Sequence, residues 1–210
     1  AGTLEPVAPA LGYGKEAAIS DILDADFIVV AGANPLEYQR VIGYFVHRAA
    51  DKGATVAVIT EGENKLSERA DMTVSYADAA KVVEAAAGAK KVVLVYSVGI
   101  KPKAITALKS LADKLHYLAL SPARNGAGAR AAGLTAISPN GAATQFVLLG
   151  EQSEDEALAA QLKAGFTIVQ ASYQSPLVEQ AEVVLPAPIW CEQTGHVTNL
   201  EGKVLPLNSS

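Results

Sequence analysis

Asp26-Phe-Ile-Val-Val-Ala-Gly-Ala-Asn-Pro35 is the stretch that decides the fold. Five apolar residues, Phe27 to Ala31, run without period-two alternation into a Gly-Ala-Asn-Pro turn, and a helical pattern begins directly beyond it. A strand that is apolar on both sides belongs in a parallel sheet whose two faces are both covered. The same unit recurs along the chain. Further strands are predicted at 55–60, 91–96, 116–120, 145–149, 166–170 and 182–185, with helices at 36–52, 77–88, 102–114 and 154–164, where apolar residues recur every three or four positions. Alternating strand and helix predicts an α/β fold: Rossmann-like, doubly wound parallel sheets with helices on both faces. Pro102 suits a first helical turn, and Gly53, Gly88 and Gly165 are placed for left-handed caps after three helices.

The pattern has an internal echo. Leu66-Ser-Glu-Arg-Ala-Asp71 precedes one strand, Met72-Thr-Val-Ser-Tyr76, as Leu177-Val-Glu-Gln-Ala-Glu182 precedes another, Val183-Val-Leu-Pro186. Each reads as a short helix ending in Ala plus an acid that turns straight into a strand. Two related half-domains follow: a first α/β unit over 1–120, a Gly- and Ala-rich linker or loop over 121–144, and a second unit over 145–210 that ends in a hairpin. The chain opens on Ala1 and stops just after that hairpin, so it is expected to be an excised piece of a longer polypeptide.

Composition removes several function classes. In 210 residues, the 17 Lys and Arg against 22 Asp and Glu give a net charge of −5, which leaves no basic footprint for nucleic acid. The single Cys191 excludes an intrachain disulfide, and it cannot supply a structural zinc site or a four-cysteine iron–sulfur cluster. No apolar run approaches the roughly 20 residues of a membrane helix, and the N-terminus lacks a signal-peptide pattern.

Ligands of open parallel sheets bind beyond the carboxyl ends of the strands. The loops to inspect are therefore Gly32–Pro35, Thr60–Glu63, Ser97–Lys101, Gly150–Ser153 and Ala171–Gln174. Gly32 permits close backbone approach, Asn34 offers a donor and an acceptor, and Glu61 stands where ribose hydroxyls are commonly accepted. Neither GxGxxG nor GxxxxGK[ST] occurs, which disfavours ordinary NAD or ATP binding. His47 and His116 read as structural, and Cys191, Glu192 and His196 lack a metal-ligand spacing, so no catalytic or metal residue is assigned.

Several segments taken together resemble the central domains of the molybdopterin oxidoreductase family. They are Asp21 to Pro35 followed by Glu37 and Val41, Lys52 to Ile59, Arg69-Ala-Asp71, Phe166 to Gln170, Ala181 to Pro186, Glu192, Thr194-Gly195 and Thr198-Asn-Leu-Glu-Gly-Lys203. The resemblance implies two homologous α/β domains that jointly hold a bis-molybdopterin guanine dinucleotide. Gly32, Asn34, Glu37, Thr60, Glu61, Ser97 and Gly99 would be its contacts. Departures are as clear: Thr60-Glu-Gly62 stands where the family has Asp-Pro-Arg, Val98 to Pro102 where it has Met-Gly-x-x-Gln, and no molybdenum ligand is recognisable. Such erosion resembles the large G-type subunits of bacterial NADH:quinone oxidoreductase, complex I, a likeness shared by the linker Pro122 to Gly128.

That likeness implies a scaffold with no cofactor in this chain, iron–sulfur clusters elsewhere in the parent, and other subunits of a respiratory complex as partners. The location implied is cytoplasmic, peripheral to the inner membrane through the complex and without direct membrane insertion. The alternatives are the bis-molybdopterin-binding part of a formate dehydrogenase large chain, within a formate-oxidising complex, and a stand-alone nucleotide-binding module.

Overall fold

The computed structural model describes residues 8–121, 125–134, 142–151, 156–162 and 165–208, in two compact units. The larger comprises Glu5–Ala131 with Thr198–Lys203, and the smaller Ala1–Leu4, Ala132–Val197 and Val204–Ser210. The larger unit holds six strands: β1 (Lys15–Glu16), β2 (Phe27–Ala31), β3 (Thr55–Ile59), β4 (Met72–Val74), β5 (Val92–Tyr96) and β6 (Leu115–Ala119). They line up as β1-β6-β5-β2-β3-β4, with every neighbouring pair parallel. β2 is central, with Phe27 opposite both Thr55 and Val92 and Ala31 opposite both Ile59 and Tyr96.

Helices α1 (Pro35–Tyr38), α2 (Arg40–Asp51), α3 (Ala79–Ala85) and α4 (Pro102–Leu108) connect these strands. Strand side chains alternate between two cores. Phe27, Val29, Leu94 and Tyr96 pack with Val82 of α3 and Ala104 and Leu108 of α4. Ile28, Val30, Val93 and Val95 pack with Ile42, Val46 and Ala49 of α2, together with Ile22 and Leu66 from short 3-10 turns. β2 and β5 are buried at every position, as the unbroken apolar runs predict. Each fully buried aliphatic side chain contributes about 1.5–3 kcal/mol, so these two strands anchor the unit. The α/β class, the parallel sheet and the helices on both faces are as predicted.

The helices differ from expectation in detail. The single helix predicted over 36–52 is broken at Gln39 (φ −130°, ψ 66°), where the chain turns α1 back against α2. Gly43 makes that packing possible, since a Cβ there would stand 2.6 Å from Leu36 Cδ2 and 3.0 Å from its backbone nitrogen. Gly53 does adopt a left-handed conformation (φ +99°), whereas Gly88 does not. The end of α3 is closed instead by Lys114, whose ammonium donates to the carbonyls of Ala86, Ala87 and Ala89 at 2.8, 2.6 and 3.0 Å. A cation at a helix C-terminus satisfies free carbonyls and opposes the negative end of the dipole, so no glycine cap is needed.

In the stretch 121–144, predicted as irregular, the structure places α5 (Gly126–Ala131) directly after Asn125. The Asn125 side-chain oxygen accepts the Thr198 N–H at 2.7 Å. Residues 122–124 and 135–141 of that linker, Gln152 and Ser153 of one inspected loop, and both ends of the helix predicted over 154–164 lie outside the described residues.

The smaller unit is built on β7 (Thr144–Gly150), β8 (Phe166–Ala171) and β9 (Val183–Pro186), which form a parallel three-stranded sheet in that order. β10 (Gly195–Thr198) and β11 (Val204–Leu207) pair separately. Helices α6 (Glu156–Gln161) and α7 (Pro176–Gln180) supply Ala159, Leu177 and Val178 to a core with Leu149, Val169 and Ala171. Phe146 and Leu148 of β7 are exposed.

The sequence echo has a structural counterpart. The Asp71 carboxylate accepts the Val56 N–H at 2.8 Å while the Asp71 N–H donates to the Val56 carbonyl. Glu182 makes the same pair of bonds with Thr167, its carboxylate accepting at 2.6 Å. Both acids brace the second residue of the preceding strand from fifteen positions away.

Candidate functional site

The chain leaves β2 through α1 and α2 to reach β3 on one side, then returns through α3 to β5 on the other. The ends of β2 and β5 thus flank the point where the winding direction reverses, which is where an open α/β sheet forms a crevice. A cavity of about 600 Å³ lies there, a size typical of a small-molecule site. It is lined entirely by the larger unit.

Of the predicted contacts, Gly32, Asn34, Thr60, Glu61, Ser97 and Gly99 all line this cavity. Glu37 does not line it, but its carboxylate accepts the Asn34 side-chain N–H at 2.7 Å. Tyr38, Gln39, Asn64 and Tyr76 also line it and were missed by sequence reasoning. Tyr76 follows the edge strand β4, separated from the switch point by β3, and its place after a strand was the one usable signal. Asn64 lies one residue beyond an inspected loop.

The floor of the cavity is made by backbone contact. Gly32 has φ +61°, and a Cβ on it would fall 2.0 Å from the Ile100 nitrogen and 2.2 Å from the Gly99 carbonyl carbon. Reciprocally, a Cβ on Gly99 would stand 2.8 Å from the Gly32 oxygen. The loops after β2 and β5 therefore touch through their main chains.

Most of the polar wall groups are engaged within the protein, but the buried Asn34 side-chain oxygen has no hydrogen-bond partner among the described residues. Ser97 donates its hydroxyl to the Leu120 carbonyl at 2.9 Å, and Thr60 donates to the Gly62 carbonyl at 3.1 Å within its own loop. The Asn64 amide donates to the Ala33 carbonyl at 2.7 Å, while its oxygen accepts the Leu66 N–H. Glu61 accepts the Tyr76 N–H at 3.0 Å, and the Tyr76 hydroxyl donates to the Gly99 carbonyl at 2.9 Å. Burial, aided by the nearby Glu61 charge, raises the Tyr76 phenol above its ordinary pKa, so this donor stays protonated. A buried hydrogen-bond donor of this kind rivets the β4 end to the β5 loop.

Other candidates stay apart. His47 lies in α2 and His116 in β6, whereas Cys191 and His196 belong to the smaller unit. Among the described residues no group of three or more His, Cys, Asp or Glu side chains is arranged to hold a metal ion. No described helix is long and apolar enough to cross a membrane.

No family model matches the chain. It is similar to a curated protein of Thermus thermophilus, "NADH-quinone oxidoreductase subunit 3", with 35% identity over 138 residues. The matched region is 61% of this chain and 17% of that relative, so the chain spans under a fifth of the length of the protein it resembles.

Proposed function

We propose that the chain is an α/β module of a large subunit of NADH-quinone oxidoreductase, where it acts as a packed scaffold and holds no cofactor of its own. The similarity to the Thermus thermophilus subunit supports the complex. The observation that carries the scaffold reading is the main-chain contact at Gly32; Ser97, Thr60, Asn64, Glu61 and Tyr76 are also bonded to the protein itself, while the buried Asn34 side-chain oxygen is left without a partner among the described residues. A site built for a dinucleotide presents unmet donors and acceptors and leaves space for close approach of the ligand. Here the closest approach, at Gly32, is taken by the Gly99–Ile100 backbone. That main-chain contact is what argues against a bis-molybdopterin guanine dinucleotide in this arrangement. Electrons would pass from NADH to quinone through iron–sulfur domains elsewhere in the parent, with this module serving as a wall against which they and neighbouring subunits pack. Its place would be peripheral to the membrane, held by the complex.

The similarity to the Thermus thermophilus subunit gives no support to a formate dehydrogenase. The test is metal and pterin analysis of the intact parent protein. Iron without molybdenum, tungsten or oxidised pterin is the expected result, and about one bis-pterin per chain would overturn the scaffold reading. A thermal-shift series with NADH, GDP and ATP removes the remaining rival. A true nucleotide site saturated at 100 times its dissociation constant stabilises by roughly 2.7 kcal/mol, whereas a scaffold shows no shift.

A further inference from the structure

Helix α2 turns Ile42, Val46 and Ala49 into the core. Its opposite face carries Arg40, Tyr44 and Arg48 at four-residue spacing, with Val41 beside them. Residues so spaced lie one turn apart along a single stripe. Val41 is 63% exposed and Tyr44 58%, and Tyr38, just ahead of the helix at the mouth of the cavity, is 74% exposed. None of the three is needed to cover the sheet, whose helix-facing side is already filled.

The charges on this stripe are as informative as its apolar atoms. Arg48 stacks over the Tyr44 ring, 5.7 Å from the centroid, and has no carboxylate partner among the described residues. Arg40 has none either. The acid on the same helix, Asp51, is already held by Arg69 at 2.6 Å. In a chain of net charge −5, two arginines with no carboxylate partner among the described residues thus bracket an exposed tyrosine. Tyrosine and arginine are, with tryptophan, the side chains enriched at the energetic centres of protein interfaces, and a stacked arginine is pre-ordered to receive a carboxylate.

We propose that this face of α2 docks a segment of a partner subunit that presents apolar side chains flanked by Asp or Glu. Tyr44 and Val41 meet its apolar centre, and Arg40 and Arg48 pair with its acids at either end. The proposal rests on the reading of the chain as part of a multisubunit complex.

The test uses the intact complex with a photoreactive phenylalanine analogue in place of Tyr44, followed by mapping of the cross-link. The expected product joins Tyr44's position to an acid-bearing segment of another subunit, and the double substitution R40E/R48E lowers its yield on the order of tenfold, with R40K/R48K, which keeps the charge but loses the stacked fork, falling between the two. Hydrogen exchange over 40–51 should also be slower in the complex than in the isolated chain. A cross-link to a basic or uncharged segment, to a second copy of this chain, or to nothing overturns the proposal, as does a yield indifferent to charge reversal. Finding a pterin in the same complex would overturn the scaffold reading and leave this result standing. An unprotected α2 in a complex with no pterin would remove the docking site alone.

Discussion

At the scale of single residues, Gly32 and Gly53 separate two reasons for a glycine. Both have positive φ, +61° and +99°, but a side chain on Gly53 would meet nothing within 4 Å, while one on Gly32 collides with main chain at 2.0 Å. Gly53→Ala therefore bears only the left-handed penalty, about 1 kcal/mol. Gly32→Ala must in addition force two loops apart and is expected to cost about 3 kcal/mol or more. Denaturant unfolding of the two variants checks the ordering, and similar costs for both would mean that the loops separate easily. The role of Gly32 was legible in the sequence as a need for close approach, but its neighbour was not. Glycine announces that something comes near, and here that something is the chain's own backbone at Gly99 and Ile100.

At the scale of elements, the strands were readable because burial on both faces leaves no room for polar residues, as in β2 and β5. Helix ends were less so, because their partners are remote. The cap on α3 comes from Lys114, 25 to 28 residues away, and composition around Gly88 pointed to the wrong device. Lys114→Met keeps the aliphatic stem and deletes the three donor bonds. It should lower stability by about 1–2 kcal/mol, with the loss seen as faster hydrogen exchange at the end of α3. Unchanged exchange would show that water replaces the ammonium at no cost. The candidate site divides in the same way. Strand ends at a reversal of winding are visible in sequence, and six of the predicted contacts line the cavity. The bonds that occupy them are not visible, since Asn64 reaches Ala33 across 31 positions and Ser97 reaches Leu120 across 23.

At the scale of the whole molecule, acidic side chains hold segments together at several points. Asp21, hydrogen-bonded to Lys91, and Asp26, accepting the Lys91 and Lys90 N–H groups, both have pKa values below the ordinary carboxylate range. So do Asp78, through Lys81 and Ser75, and Glu201, through the Ile19 N–H and Lys203. A pKa depressed in the folded state means that the unfolded chain binds more protons at low pH. The stability these groups supply is fully present above the ordinary carboxylate pKa and is lost as pH falls through the folded values. The melting temperature should thus be flat near neutrality and begin to fall at about pH 4. Asp21→Asn should make the fall shallower, and an unchanged acid limb in that variant would assign the effect to the other carboxylates.

The backbone contact between Gly32 and Gly99 has a mechanical consequence. Because the loops after β2 and β5 abut without intervening side chains, the two central strands are joined at their tips as well as along their hydrogen-bonded edges. A push delivered to α2 by a neighbouring molecule reaches β2 through Gln39 and Asn34, and at Gly32 it passes directly to the loop leading into α4 on the opposite face of the sheet. The crevice that would let two halves of the sheet hinge around a guest is here a strut, and it stiffens the unit against shear.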